Sequence, residues 1–375
     1  MLHVALLGLG KMGLSHQAII NAHKDVELVA VCDTVEYVLG VLEKYAGVKT
    51  YTDYHKLLAT ESLDAVFVAT PSRFHAEMVR AALDANLHVF CEKPFCLNVT
   101  DGRYLAEMAE SRRLVNQVGY HYRFVGVFRE LKHLLDAKVL GKLNHIRAEA
   151  YGPVVLRSKT GTWRAKKSDG GGCLYDYASH AIDLLNYLVG PPESVGGTAL
   201  NRLFSQNVED EVYSNLYYQD GVTGHIAANW SDESCRKMSM KVTAWGTNGK
   251  IVADRQELQI YLRTSNAVAQ GLNKGWNVRY TTELTEPVWY YLRGEEYSAQ
   301  VDHFVSSVSA SRTDTCSTFR TALDTDIVIE SMIRDAARAK GGTLSNVPDA
   351  PTPRKVSLRK LIGLPQGTGS TASAH

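Results

Sequence analysis

The run Gly8-Leu9-Gly10-Lys11-Met12-Gly13 constrains this chain more than any other feature of its sequence. It follows the apolar residues Val4-Ala5-Leu6-Leu7 and opens a stretch, residues 12–20, that can continue as a helix. Twenty residues beyond Gly13, Asp33 closes a second apolar run over residues 26–32. Strand, glycine turn, helix, strand and acid thus arrive in the order a dinucleotide site requires. One glycine makes the tight turn, one lets the backbone approach a pyrophosphate, and one lets the helix pack closely on the strand. The helix N-terminus then offers free N–H groups and a partial positive charge to the phosphates. Gly8, Gly10, Lys11, Met12 and Gly13 are accordingly the candidate phosphate-binding residues. Asp33 would accept hydrogen bonds from the adenosine ribose and repel a 2′-phosphate. No arginine follows Thr34 to clamp such a phosphate, so the expected cofactor is NAD rather than NADP.

Alternating strands and helices continue to about residue 122. Apolar strand candidates cover residues 4–7, 28–32, 65–69, 88–91 and 115–118, with helical stretches near 35–45, 53–59, 74–85 and 99–111. Strands that are apolar throughout, separated by helices, predict a parallel sheet covered on both faces. The loops Thr70-Pro71-Ser72 and Glu92-Lys93-Pro94 fall just past strand ends, the edge where open α/β sheets bind ligands.

The pattern changes after Phe124. A helix near 127–135 leads to a strand candidate at 144–151, a polar loop through Lys167, and the run Gly170-Gly171-Gly172 ahead of another helix. Successive strands are expected over 212–218, 224–230, 238–244, 250–253 and 258–261, as an antiparallel meander. Residues 264–295 read as a long loop with short strands, and helices return at 296–310 and 318–340. The fold class is therefore α/β, divided into a dinucleotide-binding domain over 1–122 and a second α/β domain over 123–345. The tail, 346–375, is rich in Pro, Gly, Ser and Thr and reads as a surface arm.

Bulk properties exclude several partners. A formal charge of +1 gives no basic excess for nucleic acid or an anionic membrane, and no apolar run is long enough to span a bilayer. The chain begins in a strand without the charged and apolar regions of a signal peptide. Cys32, Cys91, Cys96, Cys173, Cys235 and Cys316 form no CxxC pair and no regular framework, which fits reduced thiols. The expected location is the cytoplasm.

Two constellations carry chemistry. Glu92-Lys93-Pro94 lies where a nicotinamide ring is expected, which makes Glu92 and Lys93 candidate cofactor contacts. A lysine there can hold its ammonium near a substrate hydroxyl and stabilise the developing alkoxide. Proline fixes the loop, and a cis peptide bond would help aim the lysine. The second is Asp176-x-x-x-His180-x-x-Asp183, whose members share one helix face with Tyr187, while Leu174, Ala178, Ala181, Leu185 and Leu188 form the opposite, core face. This stripe can be a solvated face, a set of metal ligands, or a general base, His180, held in its tautomer by a carboxylate. Neither HExxH nor a cysteine pair supports the metal, and none is expected. Gly119-Tyr120-His121-Tyr122-Arg123-Phe124 can wall a pocket or serve as an aromatic hinge. Trp163-Arg164 can stack on a carbohydrate or make an interface contact. Tyr120, Arg123, Trp163 and Arg164 join Lys93 and His180 as candidate substrate contacts.

With these residues in hand, the chain resembles the Gfo/Idh/MocA oxidoreductases, the relatives of glucose–fructose oxidoreductase and inositol dehydrogenase. The resemblance rests on GLGKMG, ATPSRFH at 69–75, EKP at 92–94, GYHYRF at 119–124 and GGGCLYDYASHAID at 170–183. It implies a Rossmann domain followed by an α/β domain with a large open, mainly antiparallel sheet, which is often buried between subunits of a homo-oligomer. It implies Lys93, Asp176 and His180 as the catalytic group. His180 would take the proton of a secondary alcohol, Lys93 would polarise the same oxygen, and Asp176 would orient or tune the pair. It also places Thr70, Pro71 and His75 near the cofactor and Asp183 at a substrate hydroxyl. Tyr177 and Ala178-Ser179 stand where many relatives carry a smaller residue and a glycine, which makes Tyr177 a further candidate substrate contact. The implied activity is NAD-dependent hydride transfer at a ring hydroxyl of a sugar, glycoside or cyclitol, including oxidation to a 3-keto sugar. An NAD-dependent glycosidase of related fold, and a non-catalytic nucleotide-binding regulator, are the alternatives.

Overall fold

The computed structural model describes residues 1–158, 161–265 and 271–339. The expected tail at 346–375 and the end of the last helix at 340 lie outside the described residues.

Six parallel strands form the first sheet: β1 (Leu2–Leu7), β2 (Val26–Cys32), β3 (Lys49–Tyr51), β4 (Ala65–Val68), β5 (His88–Cys91) and β6 (Asn116–Val118). Helices α1 (Lys11–Asn21), α2 (Glu36–Ala46), α3 (Tyr54–Thr60), α4 (His75–Asp84) and α5 (Val99–Ser111) connect them. The spatial order β3-β2-β1-β4-β5-β6 reverses direction between β1 and β4, and ligands bind at such a switch point beyond the carboxyl ends of the strands. β4 is buried at all four positions, as a strand covered on both faces must be. The short β3 was missed in the sequence because three residues, none fully buried, carry no periodic signal.

The second half opens with α6 (Gly126–Asp136), β7 (Leu143–Tyr151) and α7 (Ser179–Val189). There follow β8 (Ser194–Asn201), β9 (Glu211–Tyr217), β10 (Thr223–Asn229), β11 (Ser239–Gly246), β12 (Gly249–Ala253), β13 (Glu257–Leu262) and β14 (Gly275–Tyr280). The short α8 (Thr281–Leu284) precedes the long helices α9 (Glu295–Ser309) and α10 (Phe319–Ala339). Eight strands pair in the order β14-β13-β12-β11-β7-β10-β9-β8. The sheet is mainly antiparallel, but it is not the simple meander expected: β7 inserts at its centre, antiparallel to β11 and parallel to β10. Alternation gives the sheet two unlike faces. Ile146, Ala148 and Ala150 of β7 are fully buried, whereas His145, Arg147 and Glu149 between them are only half-buried.

The inner face of this sheet packs with α6, α7 and part of α10 into one large core. The expected boundary at residue 122 does not divide the packing. Tyr297, Val301, Phe304, Val305 and Val308 of α9 share a core with β1 and β4, and Phe319 and Ala322 of α10 share the other core of the first sheet. A parallel sheet needs both faces covered, and α9 supplies the cover from far along the chain. No helix of the described residues is long and apolar enough to cross a membrane.

Candidate active site

The loops after β1, β2, β4, β5 and β6 all emerge at the carboxyl edge of the first sheet, and each carries part of the site. The three glycines have separate surroundings. Gly8, at φ 95°, would place a Cβ 2.7 Å from the Ala69 carbonyl oxygen, and a Cβ on Gly13 would fall 1.9 Å from the Gly8 oxygen. Both are therefore demanded by the packing of strand, turn and helix. A Cβ on Gly10 meets nothing within 4 Å. Gly10 caps α1 without a side chain, and no acid stands in the first turn, whereas α3 and α5 have their ends closed by Asp53 and Asn98. The free N–H groups of α1 and the open space over Gly10 fit a pyrophosphate. Lys11 and Met12 form that first turn. Asp33 accepts the Leu9 N–H at 2.6 Å and the Val35 N–H at 2.9 Å, which fixes the carboxylate beside the glycine turn. A carboxylate has about four acceptor positions, so capacity remains for ribose hydroxyls.

This division of labour predicts opposite behaviour for two small substitutions. Gly10→Ala, at an extended φ of −64°, should fold with an unchanged melting temperature yet bind NAD at least about tenfold more weakly, because its methyl enters the ligand's space. Gly13→Ala should lower the melting temperature itself. Calorimetric titration beside thermal melts checks both, and normal NAD affinity in the Gly10 variant counts against this seat.

Lys93 reaches from the β5 loop to the second half of the chain. Its Nζ donates to Asp176 Oδ1 at 2.8 Å and to the Asp176 carbonyl at 3.0 Å. Arg164 takes the other carboxylate oxygen, Nε to Oδ2 at 2.9 Å, while its guanidinium lies 4.6 Å from the centre of the Trp163 ring. Burial works against ionisation of Asp176, but the Lys93 and Arg164 charges outweigh it and bring the carboxyl down to about 2. The Lys93–Pro94 peptide is cis.

Asp176 lies in a π-helical turn, Leu174–Ala178, that leads into α7. Such turns are frequent at functional sites. The carboxylate expected to hold His180 in its tautomer is spent on Lys93 and Arg164 instead. His180 Nδ1 is buried without a partner, and Nε2 has no protein hydrogen bond among the described residues. Burial, then the Lys93 charge and the neighbouring His121, push the imidazole well below its usual value, so it is neutral.

The polar stripe of α7 is not a solvated face. Asp176, His180 and Asp183 are 8%, 5% and 1% exposed, and the apolar stripe opposite is buried as well. Several expected ligand contacts prove to be internal. Arg123 grips Asp183 through Nε to Oδ2 at 2.9 Å and a terminal nitrogen to Oδ1 at 2.6 Å, so neither is free for a substrate. Tyr120 is fully buried in the first domain's core, and Tyr177 is buried in the second. His75 is fully buried, with Nδ1 on the Pro94 carbonyl at 2.8 Å and Nε2 on that of Thr70 at 3.0 Å. It braces two loops and presents no free atom to a cofactor. Glu92 turns inward too, 2.7 Å from His16 Nε2. Thr70 and Pro71 remain at the rim, half-buried and exposed.

Rings of the GYHYRF run surround His180, with Tyr122 edge-on at 5.3 Å and Tyr120 at 6.0 Å, and the nearest of them is His121. Its ring stacks on Tyr297 of α9 at 4.7 Å and meets His180 edge-on at 4.8 Å. The sequence signalled ring side chains here without telling that they gather around His180.

Residues 2–120 match the profile of an oxidoreductase family with an NAD-binding Rossmann fold, and residues 128–252 match the Gfo/Idh/MocA C-terminal domain. The chain belongs to the Gfo/Idh/MocA oxidoreductase family. This family member is 28% identical over 238 residues to D-glucoside 3-dehydrogenase of Escherichia coli, spanning 59% of the chain and 68% of that enzyme. Over 267 residues it is 28% identical to myo-inositol 2-dehydrogenase of Thermotoga maritima, 68% of the chain and 75% of the relative. Its fold matches levoglucosan dehydrogenase in complex with NADH and levoglucosan, with a TM-score of 0.78 at 22% identity over 90% of the chain and 97% of that structure. GenD2 from gentamicin A biosynthesis, in complex with NAD, matches at a TM-score of 0.73 and 27% identity, over 90% of this chain and 94% of GenD2. The first half of the chain is thus the family's NAD-binding Rossmann domain, in keeping with the glycine turn and Asp33.

Proposed function

We propose that this protein is a dehydrogenase that moves a hydride between NAD and a secondary ring hydroxyl of a sugar, glycoside or cyclitol. The reading rests on one observation above all: Lys93, at the sheet edge that also carries the open glycine turn, meets Asp176, 83 residues further along the chain and one turn ahead of His180. When bound, NAD supplies the hydride acceptor. The Lys93 ammonium donates to the substrate oxygen and stabilises charge developing there. Asp176, itself held by Arg164, aims that ammonium. His180 is neutral, so its open Nε2 can accept the hydroxyl proton. Trp163 and Arg164, both half-buried beside Asp176, offer a flat surface for the apolar face of a sugar ring. The glucoside and inositol dehydrogenases among the relatives support the same substrate class, including 3-keto sugar formation.

The test is NADH formation during incubation with NAD and a panel of glycosides, free sugars and inositols. Reduction of NAD by at least one is expected. Sugar release without net reduction would move the protein to glycosidase chemistry, and binding without turnover would make it a regulator.

The outer face of the second sheet supports a homo-oligomer. Tyr217, Tyr261 and Trp276 are exposed on it, beside Trp245 on β11. We place the subunit contact there, and a monomer in sedimentation analysis would overturn that assignment. The six free cysteines suit a reducing compartment, the cytoplasm.

A further inference from the structure

The Lys93 loop and the His180 helix belong to different layers of the protein, and α10 touches both from behind. Phe319, at its start, stacks on Phe95 of the loop with ring centres 4.3 Å apart. Two turns later, Asp326 Oδ2 accepts the Cys96 N–H at 3.0 Å. The adjacent Thr325 reaches the other way. Its hydroxyl donates to Asp183 Oδ1 at 3.4 Å and accepts from Asn186 Nδ2 at 3.3 Å, both on the helix that carries His180. Thr325 and Asp326 are 0% and 4% exposed.

We propose that α10 sets the placement of Lys93 against His180, with Asp326 as a positioning residue that clasps the Lys93 loop in the form of a neutral acid. The assignment rests on reading Lys93 and His180 as the catalytic pair. With His75 on the Pro94 carbonyl, Phe319 on Phe95 and Asp326 on Cys96, three consecutive residues of the loop are held. Lys93 is the residue just before them, so a shift at Cys96 is passed to its ammonium.

The surroundings argue for the neutral form. Asp326 Oδ1 is buried with no partner, and so is the Tyr120 hydroxyl, which feels the Asp326 charge. The other titratable groups that interact with Asp326 are Asp183, Cys91, Cys96 and Tyr175, none of them cationic. The buried guanidinium of Arg123 is committed to Asp183. An ionised carboxylate with one bare oxygen is costly in such a place, whereas a protonated one still accepts the Cys96 N–H. Burial and the Asp183 charge push the Asp326 carboxyl well above the usual carboxylate range, and the Cys96 N–H offsets only part of this.

Asp326→Asn keeps the shape and the acceptor but cannot ionise; Asp326→Leu keeps the branched outline, somewhat enlarged, and loses the acceptor. The expected result is turnover within about threefold of the parent for D326N. D326L should lose at least about tenfold in kcat, with KM for NAD changed by less than about twofold, since small misplacements of reacting groups cost up to about 100-fold. A second readout needs no substrate. Acetylation of Lys93 by acetic anhydride, followed by peptide mass spectrometry, should run several-fold faster in D326L, where the Lys93–Asp176 contact loosens, and at the parent rate in D326N. Parent-like labelling and turnover in folded D326L overturn the proposal, and so does a D326N that labels and turns over as D326L does. If D326L does not fold, D326N is judged against the parent: parent-like labelling and turnover support the neutral clasp, and several-fold faster labelling or a tenfold loss of kcat overturns it. If the parent turns over none of the panel, labelling still tests the clasp while the dehydrogenase reading fails separately.

Discussion

Replacing His180 by alanine is expected to lower kcat by about 100- to 10,000-fold, the usual contribution of a positioned general base. NAD affinity should be retained, because the glycine turn and Asp33 lie elsewhere on the sheet edge. Stopped-flow NADH formation beside calorimetric NAD binding checks this, and an H180A protein with undiminished turnover would remove the base from the mechanism. The pH dependence follows with a definite sign. A base works when neutral, and burial depresses the His180 value well below that of a free histidine, so kcat/KM should stay level on acidification through the usual histidine range. It should fall only as pH drops through the depressed value. Asp176, held at about 2, remains ionised throughout and adds no limb of its own. An acid limb centred at the ordinary histidine value of about 6.5 would contradict the burial argument.

The largest effect on stability is expected at Asp183. The Arg123–Asp183 pair is almost fully buried and bidentate, so Asp183→Ala strands a guanidinium in the protein interior. Breaking one side of a buried pair costs about 3–5 kcal/mol. Replacing both partners by apolar residues of similar size, R123M with D183L, should recover much of that loss, since no bare charge is left behind. Denaturant unfolding of the two singles and the double measures it. A single-variant loss below about 1 kcal/mol would show that the pair is solvated and not internal. A stable but inactive double variant would indicate that the pair's contribution is to place α7 and not to hold the fold.

Much of the fold was legible because its signals are local. Apolar runs such as 65–68 and the residues spaced along α5 announce a strand or a helix within a few turns. The glycine turn was legible for a stronger reason: the clash of a Cβ at Gly13 with the Gly8 oxygen admits no other residue. Two strands were not, and a third was only half-read. β3 is too short, and β8 has mostly half-buried or exposed positions that blur the alternation, while β14 falls in the stretch expected to hold short strands, 264–295, without its bounds having been read. The insertion of β7 between β10 and β11 was beyond reach as well, because pairing between strands distant in sequence leaves no periodic trace in either.

The site divides in the same way. Residue type at short spacing was enough to single out the candidate cofactor seat, the lysine after β5, and Asp176 and His180 near α7. Their partners depend on packing between elements far apart in the chain. Asp176 and His180, four residues apart, part company: one pairs with Lys93 and Arg164, and the other faces His121 and Tyr122 with Nδ1 bare. Asp183, on the same stripe, turns into the core because Arg123 waits there. A helical stripe fixes direction relative to one axis, but whether that direction meets solvent, a lysine or an arginine is set by the elements packed around it. Here those elements are the loops after β5 and β6 and the segment ahead of the π-helical turn, which bring Lys93, Arg123 and Arg164 to the stripe.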